Sequence, residues 1–146
     1  MAASTVPAFK QALVDALKAA TWPGNVPQIC YGPPRAGTRE DVIVGDTAQE
    51  GGADRSWAAI GNRSIDEAYA LNLAVIVTTP GRTCKAATER AFAIFDVVQG
   101  VIRTTPGLGV VGVTVSSIAQ PEHIESLTDE GFVVELDSAV RVQARI

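Results

Sequence analysis

Hydrophobic and polar positions alternate with period two over one long stretch of this chain and then switch to a period near that of a helix. From Asp66 the odd positions read Glu67, Tyr69, Leu71, Leu73, Val75 and Val77, while the even ones read Asp66, Ala68, Ala70, Asn72, Ala74 and Ile76. The strand this predicts is bulky on one face and mostly small on the other. Thr78-Thr79-Pro80-Gly81 ends it, because proline cannot donate to a ladder and glycine tolerates the dihedrals of a turn. Thr83 is placed to cap a helix in which Ala87, Ala91, Phe92, Phe95, Val98 and Ile102 recur at three- and four-residue intervals. The spacing predicts a helix from Cys84 to Arg103, about 30 Å long at about 1.5 Å per residue, covering the bulky face of the strand. Thr104-Thr105-Pro106-Gly107 closes it, with Arg103 near the negative end of the dipole.

The flanking segments read as shorter elements. Ser4, Thr5 and Pro7 start a first helix that carries Phe9, Ala12, Leu13, Ala16, Leu17 and Ala20 on one stripe, and Trp22-Pro23-Gly24-Asn25 ends it. Val26 to Tyr31 and Asp41 to Gly45 are short strands, and Trp57 to Ile60 is a third, joined to the long strand as a hairpin through Gly61-Asn62-Arg63-Ser64. Val110 to Ile118 and Phe132 to Val142 supply the last two strands; the second alternates Phe132, Val134, Leu136, Val140 and Val142 against Glu135, Asp137, Arg141 and Gln143. Residues 46–55 and 119–131 are acidic, lack periodicity and read as mobile loops, the second with a helical turn around Ile124 to Leu127.

A strand, a long helix and another strand bring the two strands out pointing the same way, and the final strand returns antiparallel to both and inserts between them. The expected fold is α+β, a mixed and mainly antiparallel sheet with the long helix across one face and the N-terminal helix packed nearby. With 146 residues, 47% of them hydrophobic, residues 1–146 are expected to form one domain.

Composition removes several classes of function. Twelve basic against sixteen acidic residues disfavour a grip on nucleic acid. Cys30 and Cys84 form no CxxC pair and read as two buried free thiols. No apolar run approaches the roughly 20 residues that span a bilayer, so no membrane association is expected, and the chain reads as a soluble protein made in a reducing compartment. The single histidine, His123, lies in the acidic 119–131 segment and has no serine elbow to serve. No metal set and no cofactor motif is visible. Gly107-Leu108-Gly109-Val110-Val111-Gly112 spells GxGxxG, but it leaves a helix and enters a strand, the reverse of a dinucleotide fold. The Glu40-Asp41, Asp66-Glu67 and Asp129-Glu130 pairs read as solvated acids at turns. No enzyme is expected. The long strand itself is unusual, well beyond the typical five or six residues. It either overhangs its own sheet or meets another chain.

The order of elements, with Leu71-Asn72-Leu73-Ala74-Val75-Ile76-Val77 followed by the helix Ala86 to Arg103 and two closing strands, resembles the small tail-terminator and tail-completion proteins of long-tailed bacteriophages. The resemblance implies a structural virion protein made in the host cytoplasm, a homo-oligomeric ring, usually a hexamer, at the head-proximal end of the tail. Such a ring stops the tail tube protein from polymerising and meets the head–tail connector proteins, while DNA passes the lumen without specific binding. Under it, Asp46, Glu50 and Asp54, or Glu122, Glu125, Asp129 and Glu130, face the lumen and repel DNA, with solvated outer loops as the alternative. Arg55, Trp57 and Arg63 anchor a subunit contact, or Trp57 is a core residue flanked by surface arginines. A head-closure or head–tail adaptor protein fits the same pattern. A small enzyme or ligand-binding domain, or an adaptor pairing through a sheet edge, are the readings from other classes.

Overall fold

The structure is a computed structural model that describes residues 4–33, 40–47, 54–57, 65–80, 84–129 and 131–145. Helix α1 (Val6–Ala19) starts where expected, with Pro7 in its first turn and the Val6 N–H donating to Ser4 Oγ at 3.2 Å. It buries Phe9, Leu13, Val14 and Leu17, and at its C-terminal end the Leu17 carbonyl accepts both the Ala20 N–H at 3.3 Å and the Trp22 indole N–H at 3.0 Å. Strands β1 (Gln28–Tyr31), β2 (Glu40–Thr47) and β3 (Asp54–Trp57) precede the long strand β4 (Ile65–Thr79). Then come helix α2 (Cys84–Thr104) and strands β5 (Val113–Ile118), β6 (Glu122–Thr128) and β7 (Gly131–Arg145).

The sheet runs in the order β1-β2-β4-β7-β5, with β3 also on β4 and β6 also on β7. Among the described strands only the β1–β2 pair is parallel. The fold is therefore α+β with a mixed, mainly antiparallel sheet. Strand β7 lies between β4 and β5 and antiparallel to both, as the crossover argument requires.

Strands β4 and β7 pair in unbroken register from Asp66 against Arg145 to Thr79 against Phe132. At about 3.3 Å per residue each of these 15-residue strands is about 50 Å long, against about 31 Å for the 21-residue α2 at about 1.5 Å per residue. Shorter strands divide their outer edges. Along β4, β2 takes the segment from Leu71 to Val77 and β3 the segment from Ile65 to Ala68. Along β7, β6 takes Gly131 to Asp137 and β5 takes Val140 to Ala144.

The bulky face of β4 is the core face. Tyr69, Leu71, Leu73, Val75 and Val77 are buried with Val42, Val44, Val134, Leu136, Val140 and Val142 beneath α1 and α2. Each such side chain contributes about 1.5–3 kcal/mol when fully removed from water. Helix α2 presents Ala87, Ala91, Ile94, Phe95, Val98 and Ile102 to that core. Phe92, expected on the stripe, is 37% exposed, because the position beside Ala91 is turned about 100° away along a 3.6-residue repeat.

Several expectations are corrected. Residues 119–131 are not a mobile loop with a helical turn: Glu122–Thr128 is strand β6, paired antiparallel with β7, and Asp129 is in a turn. Every residue of β6 is exposed, so no core-facing alternation marks it in the sequence. Gly131, at φ 122°, fits this turn because a Cβ there would come within 2.7 Å of the Pro80 Cα and the Thr79 carbonyl oxygen. Residues 46–55 likewise begin and end in strand, Asp46 and Thr47 in β2 and Asp54 and Arg55 in β3. A strand is described over Asp54–Trp57, pairing antiparallel with β4; of the expected Trp57 to Ile60 only Trp57 lies among the described residues. Strand β5 starts at Val113, later than expected, because Pro106 to Gly109 and Val111 to Gly112 form turns. The turn at 61–64 and the Thr83 cap lie outside the described residues.

Candidate functional site

The sheet has one face covered by helices and one that no described helix covers. Phe9 of α1 meets Tyr69 edge-on, ring centroids 6.5 Å apart, and Arg90 of α2 reaches Glu40, so both helices lie on the bulky side. The opposite side carries Ala68, Ala70, Asn72, Ala74 and Ile76 of β4 beside Gln143, Arg141, Ala139, Asp137 and Glu135 of β7. Ile43, Asn72, Ala74, Asp137 and Ser138 line a shallow depression of about 280 Å³ there. Burial, with a hydrogen bond to Asp137, pushes the Glu135 carboxyl above the usual carboxylate range.

The expected acidic residues divide between the two sides. Asp46 accepts from Asn72 Nδ2 at 3.0 Å, and Glu122 stands opposite Asp137, both on the uncovered side. Glu125 points the other way. It accepts from Thr88 Oγ1 at 3.0 Å and lies 3.0 Å from His123 Nε2. Asp129 is exposed at the hairpin turn, and Asp54 stands on β3 opposite Ala68. Glu50 and Glu130 lie outside the described residues, as does Arg63. Arg55 and Trp57 fall on β3, opposite Glu67 and Ile65 of β4.

Two polar groupings escaped the sequence reading. Glu67, expected as half of a solvated acidic pair, is 1% exposed; its Oε1 accepts from the Thr5 N–H at 2.8 Å and from Thr5 Oγ1 at 2.7 Å. A strand carboxylate thus caps α1, and Thr5 directs its hydroxyl to Glu67 and Tyr69 rather than capping its own helix. The sequence did carry a sign of this, since Glu67 occupies the odd, inward-facing register of β4. Arg90 is the second: it pairs bidentately with Glu40 at 2.8 and 3.1 Å and also donates to the Pro23 and Asn25 carbonyls. It ties α2 to β2 and to the segment after α1.

His123, expected in a loop, packs edge-on against Phe92 with centroids 5.5 Å apart. Cys30 is buried as expected, whereas Cys84 is only half-buried; neither is in a disulfide. A hydrogen bond to Glu125 pushes the Cys84 thiol up, and the same bond with that from Thr88 holds the Glu125 carboxyl down. A thiol held protonated is a poor nucleophile. Among the described residues no group of three or more His, Cys, Asp or Glu is placed to hold a metal ion, and no helix is long and apolar enough to cross a membrane. What this surface offers chemically is shape, charge and sheet border.

No family model matches the chain, and no curated protein matches it. Among solved structures its fold is similar to that of a chain in the structure titled "Virion of native gene transfer agent (GTA) particle". The two are 14% identical with a TM-score of 0.58, and the match covers 98% of this chain and 100% of the other.

Proposed function

We propose that this chain is a structural protein of a phage-type virion rather than an enzyme. It forms a homo-oligomeric ring, of six copies, at the head-proximal end of the tail, terminating the tail tube and joining it to the head connector. The observation that carries this reading is the end-to-end overlap of the fold with a chain of a virion particle. The polar groups described above support it, since those of Glu67, Arg90 and Glu125 are engaged in holding elements together.

Within that reading the uncovered side of the sheet faces the lumen. Asp46 and Glu122 lie on it together with Glu135 and Asp137, a carboxylate surface that repels the DNA phosphates and lets the genome pass without binding. Glu125 is directed at α2 and leaves the lumen set; Asp54 and Asp129 sit at the ends of β3 and β6, and Glu50 and Glu130 lie outside the described residues. Strand β3, with Arg55 and Trp57, and Arg63 after it supply a subunit contact.

The test is assembly. Purified protein, sized by mass photometry and imaged in negative stain, is expected to give annular particles, and its addition to polymerising tail tube protein is expected to fix tube length. A chain that stays monomeric and leaves tube growth unchanged would remove the reading. Rings that bind head connector but leave tubes uncapped would move it to head closure.

A further inference from the structure

Of the six large apolar side chains that are exposed among the described residues, five lie on the two lateral borders of the sheet. Val26 (66% exposed) and Tyr31 (49%) are at the β1 border; Phe92 (37%), Ile124 (39%) and Leu127 (73%) are at the β6 border; Val111 lies in the turn before β5. Concentrating apolar surface on sheet borders invites association unless something covers it.

The borders are complementary in direction and position. Strand β1 is parallel to β2 and therefore runs opposite to β4, whereas β6 is antiparallel to β7 and therefore runs with β4. Two copies placed side by side in the same orientation bring β1 of one against β6 of the next as an antiparallel pair. Their positions along the sheet overlap: β1 lies, through β2, level with Leu73 to Ile76 of β4, and β6 lies, through β7, level with Ala74 to Thr79. Tyr31, with Lys10 4.1 Å above its ring, stands on the helix side of one border, and Leu127 and Phe92 stand on the helix side of the other.

We propose that the β1 border, with Val26 and Tyr31, docks on the β6 border of a second copy, with Ile124, Leu127 and Phe92. The contact is head-to-tail, each copy using a different border on each side, so it repeats from copy to copy and closes only as a ring. This assignment rests on the ring reading above and adds to it which surfaces meet.

The test uses two variants of the full chain, each putting a charge into the apolar surface of one border: Tyr31→Glu at the β1 border and Leu127→Arg at the β6 border. Far-ultraviolet circular dichroism checks that each folds, and Val26→Glu replaces Tyr31→Glu if that variant does not. Mass photometry is expected to show rings for the unaltered chain and monomers for each variant alone. A one-to-one mixture is expected to give dimers and nothing larger, because only one intact pair of borders remains. Rings that persist in both variants would overturn the border assignment and leave the ring reading standing. A mixture that stays monomeric would overturn the head-to-tail pairing. Open chains of the unaltered protein, broken by the variants, would keep the borders and overturn the ring, and an unaltered chain monomeric up to millimolar concentration would overturn both.

Discussion

The two faces of the same sheet are built from alternate residues of the same strands, yet they hold the molecule together by different means. On the helix-covered face Leu71, Leu73, Val75, Val134, Leu136 and Val140 are buried and interlock with α1 and α2. On the other, small and charged side chains such as Ala70, Asn72, Asp137 and Arg141 stand in register with no described helix above them. The difference teaches that stability and surface chemistry have been assigned to opposite parities of one sequence, so a one-residue slip would exchange them. Leu71→Ala is expected to cost about 2–5 kcal/mol in chemical denaturation, through lost transfer energy and the cavity left behind. Its neighbour Ala70→Ser is expected to stay within about 0.5 kcal/mol. Equal effects from the two would break the comparison.

The next contrast lies within the core face, between its apolar body and its polar end at Glu67. Glu67→Ala leaves the Thr5 N–H without its buried acceptor and is expected to cost about 3 kcal/mol. Hydrogen exchange should then increase first in α1, because the carboxylate joins β4 to the N-terminus of that helix. Faster exchange in α2 alone would contradict this.

Tyr69 gives the same polar end a pH dependence. Burial raises its phenol to about 12, opposed by the Thr5 hydrogen bond and reinforced by the Glu67 charge. The folded value exceeds the ordinary 10.0. The contribution is thus fully present below pH 10 and is lost as pH rises through about 12, a change of about 2–3 kcal/mol. Denaturation midpoints of the unaltered chain and of Tyr69→Phe, compared at pH 9 and near pH 12, measure it: the alkaline loss should be smaller in the variant. A loss that is the same in both would assign it to other groups.

How much of this was legible in the sequence follows the same division. The strand–turn–helix centre and β7 were legible because each has one buried face, and burial writes a period of two or 3.6 into the residues. The insertion of β7 between β4 and β5 followed from connection lengths. Strand β6 was not legible, because both its faces are exposed and Glu122, His123, Glu125 and Thr128 read as loop composition. Glu67 was misread because acid beside acid at a strand end looks solvated, and only its tertiary partner Thr5, 62 residues away, shows otherwise. Arg90 escaped for the same reason: its partner Glu40 is 50 residues away. Of the surface residues singled out, Arg55 and Trp57 did fall on a strand, and Asp46 and Glu122 on one side of the sheet, while Glu125 was separated from Glu122 by the alternation its loop reading had ignored.

The smallest expected effect tests the uncovered face at its far end, where Arg145 Nε donates to Asp66 Oδ1 at 2.8 Å. The hydrogen bond from Arg145 holds the Asp66 carboxyl below its usual range, so any stabilisation is present above the unfolded value and fades as pH falls through the lowered one. Both side chains are largely in water, where the Coulomb gain of an ion pair is offset by the entropy of holding two side chains and is screened by salt. Asp66→Asn is therefore expected to leave the thermal unfolding midpoint unchanged at pH 7, although Glu67, the very next residue, is expected to produce one of the largest shifts in the chain. If Asp66→Asn lowers the midpoint as far as Glu67→Ala does, the end of the sheet is buried on both sides in solution, and a neighbouring copy covering Asp66 and Arg145 becomes the physical reason.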